Sequence, residues 1–201
     1  MAQIAVDVVL IPSQEMMEKA IEANRELLKQ YPNKIILDKD NCLPHISLAM
    51  GCINKKHIPD IEIILCKITQ NYRIGPLHAA GIHIETNSAG EKVSVLQIKK
   101  TEQLQSLHEQ VLQKLSAFFS YEVTANMMIS DEVVSESTLL WIRNYPEKSS
   151  YENFFPHITL GYGEVEIGFL PTIFTVSKLA LCHLGNHCTC RKVLAKAELT
   201  S

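Results

Sequence analysis

The chain has 201 residues, with 46% hydrophobic and 20% charged side chains, which is ordinary for a folded globular protein and excludes a largely disordered one. Its formal net charge of −3 and pI of about 6.2 exclude the basic surface that grips a long nucleic-acid duplex. No stretch approaches the roughly 18 consecutive apolar residues of a membrane span. We therefore expect one folded domain over residues 1–201, without a membrane partner.

The six cysteines lie in apolar segments of a chain that is large enough to fold without disulfide bonds. Free thiols in a reducing cytoplasm are the simplest interpretation, and disulfides are the less favoured one. The first residues carry no basic leader and contain an acidic residue within the apolar run, so they predict a strand rather than a signal peptide.

The first half of the chain alternates between strand and helix patterns. Ile4, Val6, Val8 and Leu10 recur with period two and predict a half-buried strand that ends at Pro12. In chain order there follow a helix with Ser13 as N-cap up to residues 31–32, a strand over 44–48, a helix over 58–68, and a hairpin of 72–86 with 92–98.

The second half is predicted in the same way. A helix begins at Thr101, residues 120–137 are interpreted as strand plus loop, and 139–143 as a short strand followed by a polar loop. A strand at 156–160 and two strands within 173–199, joined near 184–186, complete the chain. Because strands and helices mix without the strict alternation of a parallel sheet, we expect an α+β fold with mainly antiparallel pairing.

An internal repeat is the most informative feature of the sequence. Pro-His-Ile-Ser-Leu-Ala-Met-Gly at 44–51 matches Pro-His-Ile-Thr-Leu-Gly-Tyr-Gly at 156–163, with five of eight positions identical. The repeat predicts two half-lobes related by a pseudo-twofold axis, each contributing one motif to a central cleft. A repeated packing motif has no reason to retain the polar His-x-hydroxyl face in both copies.

The repeated residues are suited to phosphate chemistry. Residues i and i+2 of a strand share a face, so His45 projects with Ser47 and His157 with Thr159. Two imidazoles near neutral pKa can serve as the base and the acid of a phosphoryl transfer. The two hydroxyls can donate hydrogen bonds to the non-bridging phosphate oxygens, so the scheme needs no metal and no cofactor.

The paired motifs His45-Ile46-Ser47-Leu48 and His157-Ile158-Thr159-Leu160 resemble those of the two-histidine (2H) phosphoesterase superfamily, which includes bacterial 2′-5′ RNA ligases and cyclic nucleotide phosphodiesterases. The resemblance implies a bilobal fold of two antiparallel sheets flanked by helices, a cleft that holds both motifs, and no cofactor. It also suggests His157 as the base and His45 as the acid, although pseudo-symmetry leaves the reverse order open.

Residues 161–163, Gly-Tyr-Gly, look more like the cyclic phosphodiesterase branch than the RNA ligase branch, where a basic residue often follows the motif. Tyr162 is therefore a candidate for substrate contact. Trp141, Phe154 and Phe155 could stack on a base, but core packing is the favoured interpretation for most of them.

Cysteines and histidines between Cys182 and Cys190 form a competing candidate site, since four such ligands can bind zinc. Their spacing fits no known zinc module. His57, His78, His83 and His108 have no matching partner motif and are assigned no role.

The predicted function is the opening of 2′,3′-cyclic or related cyclic ribose phosphates, with a small cyclic nucleotide or RNA end as substrate. RNA end-processing or 2′-5′ phosphodiester cleavage and ligation is the alternative within the family. A nucleotide-binding module without turnover and a zinc-binding interaction protein are the alternatives of other classes.

Overall fold

The structure, a computed structural model, describes residues 2–32, 34–87, 90–165 and 172–199. These residues form eight strands: β1 (Gln3–Pro12), β2 (Ile46–Asn54), β3 (Leu77–Thr86), β4 (Lys92–Ile98), β5 (His157–Tyr162), β6 (Ile173–Phe174), β7 (Val176–Leu184) and β8 (Cys190–Glu198). They also form four α-helices: α1 (Gln14–Leu28), α2 (Ile58–Asn71), α3 (Glu102–Leu115) and α4 (Glu136–Lys148).

The strands build two antiparallel sheets. In the described residues the first has the order β2-β1-β7-β8 and the second the order β5-β4-β3-β6. Each motif-bearing strand, β2 or β5, is therefore the edge strand of its own sheet, and the two edge strands contact each other. The predicted α+β class, with two antiparallel sheets flanked by helices around a cleft, is confirmed.

The two sheets are equivalent down to a local irregularity. β1 pairs with β2 through Val9 opposite Ser47, and β4 pairs with β5 through Val95 opposite Thr159. Each ladder shifts register by one residue next to that pair, between Val8 and Val9 and between Ser94 and Val95. Such a bulge re-aims neighbouring side chains, so both motifs receive the same local geometry.

β1 is buried on both faces, which corrects the prediction of a half-buried strand. Val6, Val8 and Leu10 join the main hydrophobic cluster, which includes residues of α2 and α3. Val9 and Ile11, on the other face, pack in a smaller cluster with Leu43 and the C-terminal hairpin. The alternation in sequence therefore distinguishes two apolar layers rather than core from solvent.

The strand predicted at 139–143 is wrong, because these residues lie inside α4. Ser135 caps this helix by accepting a hydrogen bond from the backbone N–H of Thr138, and Leu139, Ile142 and Tyr145 are buried at helical spacing. Pro146 suggested a loop, but it lies in the last turns of the helix. The 120–137 region contains one short 3-10 turn (Ala125–Met127) and isolated bridges at Ser120 and Ile129, and α4 begins at its end.

Helix α1 follows β1 in the chain but packs mainly against β5, the second motif strand, in the other sheet. Asn24 donates hydrogen bonds to the carbonyls of Ile35 (2.8 Å) and Leu160 (2.7 Å) and accepts one from the Leu37 N–H. A Cβ atom at Gly161, whose φ is +144°, would lie 2.8 Å from the Asn24 amide nitrogen. This close approach explains why the second motif carries glycine where the first carries alanine.

Cys182 and Cys190 form a disulfide between β7 and β8. The favoured expectation of free thiols is therefore wrong for this pair, because the predicted hairpin places the two residues on facing strands. Cys42, Cys52, Cys66 and Cys188 remain free thiols. Within the described ranges, no helix combines the length and apolar character that crossing a membrane requires.

Candidate active site

The four motif residues line one cleft of about 640 Å³. His45 directly precedes β2 and Ser47 lies within it, while His157 and Thr159 lie in β5. The intervening isoleucines and leucines of both motifs are buried in the core, whereas the four polar residues remain partly exposed. The alternation along each strand thus aims one imidazole and one hydroxyl from each sheet into the shared space.

Both imidazole rings are fixed by the same backbone contact. His45 Nδ1 lies 2.7 Å from the carbonyl oxygen of Leu43, and His157 Nδ1 lies 2.8 Å from that of Phe155. Because a carbonyl oxygen only accepts, each Nδ1 carries the proton in this contact. The Nε2 atom of each ring is left as the functional nitrogen, unprotonated in a neutral imidazole and a donor in an imidazolium.

The cleft lowers the basicity of both rings. Burial, aided by the neighbouring His157, lowers the pKa of His45 to about 4, while the hydrogen bond to Leu43 opposes the shift. Burial also lowers the pKa of His157, against the raising effects of the Phe155 carbonyl and the nearby Glu85. His83, on the same strand as Glu85, lowers it. Either ring is thus readily neutral near pH 7, as a general base requires.

The residue that sequence reasoning missed is Asp7, the acidic residue within the first apolar strand. It is 0% exposed, and its Oδ2 lies 3.9 Å from His45 Nε2. Burial raises the pKa of this carboxyl to about 8, while the nearby Ser47 hydroxyl and Ala49 N–H lower it. Its occurrence in an otherwise apolar run was the available signal, since charged residues are seldom fully buried without a partner.

Helix α4 forms a wall of the cleft through residues that were expected in a strand and loop. Trp141 is 47% exposed and lines the cleft with Asn144 and Lys148. The expectation of core packing is therefore wrong for Trp141, because it lies on the side of the helix that faces the cleft. Phe155 also lines the cleft, whereas Phe154 is buried and stacks on His108.

Tyr162 lies at the edge of the same cleft, with its hydroxyl 3.0 Å from His187 Nδ1. The Lys34 ammonium lies 4.9 Å above its ring, in the arrangement of a cation–π contact. Only 7% of Tyr162 is exposed. Its hydroxyl and its His187 partner are polar groups that line this part of the cleft.

His108 has a structural role that the sequence did not reveal. Its Nδ1 donates to the Leu48 carbonyl (2.6 Å), and its Nε2 accepts from the Tyr151 N–H (2.8 Å). The Tyr145 hydroxyl donates to the same Leu48 carbonyl. Leu48 is the residue left out of register by the bulge beside Ser47, so these contacts satisfy its carbonyl.

The competing zinc segment is not arranged as a metal site. Cys182 and Cys190 are joined to each other, which removes two thiolate ligands. Across the residues that the structure describes, no group of three or more His, Cys, Asp or Glu side chains could hold a metal ion.

The two antiparallel sheets around a cleft form a fold that is also seen in solved structures of other proteins. No family model and no curated protein matches the chain. TT0787 of Thermus thermophilus has a TM-score of 0.59 and 15% identity over 98% of both chains. E. coli LigT in apo form has a TM-score of 0.56 and 13% identity over all of both chains.

E. coli LigT complexed with phosphate superposes with a TM-score of 0.57 and 12% identity, again over the full length of both chains. Identities this low establish the shared fold and nothing finer. The resemblance inferred from the paired motifs is confirmed at this level.

Proposed function

We propose that this chain is a metal-independent phosphoesterase that opens 2′,3′-cyclic or related cyclic ribose phosphates by acid-base catalysis between His45 and His157. The observation that carries the proposal is the meeting of both imidazoles and both motif hydroxyls in one cleft. The fold shared with two-histidine phosphoesterases supports it. The hydrogen bond from each Nδ1 to a backbone carbonyl also supports it, because it leaves both Nε2 atoms to face the substrate.

The phosphate is proposed to lie between the two Nε2 atoms. One neutral imidazole takes a proton from the attacking water while the water oxygen bonds to phosphorus. The bond to one ribose oxygen breaks, and that oxygen receives a proton from the other ring. Ser47 and Thr159 donate hydrogen bonds to the non-bridging oxygens, where negative charge must be stabilised.

The remainder of the cleft suits a nucleoside. Its volume of about 640 Å³ lies in the range of small-molecule sites. Trp141 and Phe155 offer ring faces to a base, and Tyr162 offers a hydroxyl. The formal net charge of −3 favours a small substrate over a long duplex.

A second candidate is cleavage or ligation of a 2′-5′ phosphodiester at an RNA end. It is favoured by a neighbouring cavity of about 270 Å³ that shares Ile35, Cys42, His187 and Thr189 with the cleft. Lys34 and Arg191 line this cavity together with Asp131 and Glu132. An adjoining nucleotide could occupy it while the scissile phosphate stays between the histidines.

The test is a turnover screen in the presence of chelator against 2′,3′-cyclic nucleotides, 2′-5′ dinucleotides and 3′-5′ dinucleotides. We expect ring opening of the cyclic nucleotides, with a kcat about 10³-fold lower in His45→Ala and in His157→Ala. His57→Ala is the matched control, because His57 lies on a 3-10 turn and does not line the cleft. Turnover of the 2′-5′ dinucleotide alone would favour the second candidate, and nucleotide binding without any turnover would contradict both.

A further inference from the structure

Asp7 is a buried charge that the mechanism above leaves unused. It lies in the middle of β1, whose residues from Ile4 to Pro12 are all buried. Neither of its carboxyl oxygens has a hydrogen-bond partner of normal geometry. A carboxylate in such a place lowers stability unless something compensates its charge. Burial of an aspartate here costs stability, which points to a role other than packing.

The equivalent position in the other half of the molecule shows that the sheet does not require an acid. Because Val9 corresponds to Val95 and the bulges coincide, Asp7 corresponds to Val93. Val93 lines the cleft. At this position of two strands with the same bulge, the half that carries His45 thus has a buried carboxyl, and the half that carries His157 has a valine.

The groups that face Asp7 come from several elements. His45 is its ion-pair partner, with Nε2 at 3.9 Å from Oδ2. Burial raises the pKa of Tyr145 of α4 and of Cys188 of the C-terminal hairpin, and the nearby charge of Asp7 adds to both shifts. Cys182 is opposite Asp7 on β7, but it is held in the disulfide and does not titrate. His45 is thus the basic group within ion-pair distance of Asp7 in the described chain.

The charges around the two rings differ correspondingly. In addition to Asp7, His157 lies near His45, and its charge lowers the pKa of His45. His157 is affected by Glu85 and His83 of β3, and both are more exposed than Asp7. Burial raises the pKa of Asp7 and lowers that of His45, so between about pH 4 and pH 8 this pair holds one proton.

We propose that Asp7 is a positioning residue that acts through His45: the two side chains share one proton, and their pairing makes His45 the acid of the reaction. This inference rests on the proposed function. A negatively charged phosphate beside Nε2 favours the ionised pair, Asp7 carboxylate with His45 imidazolium. His45 then gives its Nε2 proton to the departing ribose oxygen as the phosphorus–oxygen bond breaks, and His157 holds the proton taken from water. Exchange with solvent returns one proton to the pair and removes one from His157.

The kinetic experiment compares Asp7→Asn and Asp7→Val with the unchanged protein. Asp7→Val installs the residue found at the equivalent position. Asp60→Asn is the matched control: Asp60 Oδ2 lies 3.3 Å from Nδ1 of the partly exposed His57, and neither residue lines the cleft. We expect both Asp7 variants to lose about tenfold or more in kcat on 2′,3′-cyclic nucleotides, with KM little changed. The alkaline limb of their pH-rate profile should move to lower pH.

A substrate with a 4-nitrophenol leaving group separates positioning of the acid from a general structural effect, because that group departs without a proton. We expect the Asp7 variants to approach unchanged rates on it. Equal losses on both substrates, or no loss on either, would overturn the inference.

The NMR experiment does not depend on turnover. The ring nitrogens of His45 should report two titration steps in the unchanged protein and one in Asp7→Asn, with His57 as the internal reference. A single step in the unchanged protein would overturn the proposed pairing even where the enzyme is active. A two-step titration in a protein that turns over no substrate would instead retain the pairing and contradict the proposed function. If either variant fails to fold, the number of titration steps of His45 in the unchanged protein still tests the pairing.

Discussion

The two halves of this molecule share a backbone and differ in charge. Each edge strand presents a histidine and a hydroxyl, each ring is held through Nδ1 by the carbonyl two residues before it, and each neighbouring ladder bulges at the same place. Beside His45 lies the buried Asp7, while the corresponding residue in the other half is Val93. The common backbone explains how both rings are aimed, and we propose that the difference in charge gives them unequal roles.

The two motif strands are also held in place by different side chains. The first is supported from behind by His108 and Tyr145, which both bind the Leu48 carbonyl. The second is supported by Asn24, which binds the equivalent Leu160 carbonyl. Different side chains thus solve the same problem, a carbonyl released by a bulge, so the repeat lies in the strands rather than in the packing around them.

Removing either ring should have the largest effect. His45→Ala and His157→Ala are each expected to lose about 10³-fold in kcat on a 2′,3′-cyclic nucleotide, as befits loss of a general acid or base. Steady-state kinetics with His57→Ala as control measures this. Full activity in either variant would end the two-histidine account.

Removing one hydroxyl should have a smaller effect. Ser47→Ala and Thr159→Ala are each expected to lose about 10²-fold, because each deletes one of several donors to the phosphate. Thr159→Ser is the conservative control, since it keeps the donor. A loss in Thr159→Ser as large as that in Thr159→Ala would assign the threonine to packing instead.

The buried carboxyl should appear in stability as well. The pKa of Asp7 is raised in the folded protein, so its protonated form is favoured by folding and stability falls as pH rises toward about 8. Asp7→Asn removes this dependence. The free energy of unfolding of the variant minus that of the unchanged protein should increase from pH 5 to pH 9. We expect an increase of at least about 1.4 kcal/mol, the equivalent of one pKa unit. Denaturant unfolding at both pH values measures this, and a constant difference would show that the carboxyl does not change its protonation state on folding.

Chelation should have the smallest effect. Two imidazoles and two hydroxyls supply the proton transfer and charge stabilisation that a metal would otherwise provide, so we expect kcat to be unchanged by excess chelator. The measurement pairs metal analysis with turnover before and after chelation. Loss of stoichiometric zinc together with activity would contradict the mechanism.

Sequence patterns predicted the strands that carry chemistry because the alternation of buried and polar residues is strong in both motifs. The strand predicted at 139–143 failed because a run of Leu-Leu-Trp-Ile with a following proline resembles a strand and turn, while the Ser135 cap and the buried Leu139 and Ile142 specify a helix. Asp7 was visible as an acid in an apolar run. Its partner could not be found without the pairing of β1 with β2, because His45 lies far along the chain.

We propose that one ring acts as base while the other, held by Asp7, acts as acid. The pH dependence of kcat/KM on a 2′,3′-cyclic nucleotide tests this assignment. We predict a bell. Its acidic limb lies at lower pH than an ordinary histidine would give, because burial lowers the pKa of His157, and the ring stops acting as base once it is protonated. Its alkaline limb lies near pH 8, where the Asp7–His45 pair loses its proton.

The residual activity of the two alanine variants assigns the limbs. His157→Ala should lack the acidic limb and His45→Ala the alkaline one. A bell that keeps both limbs in either variant would contradict the account.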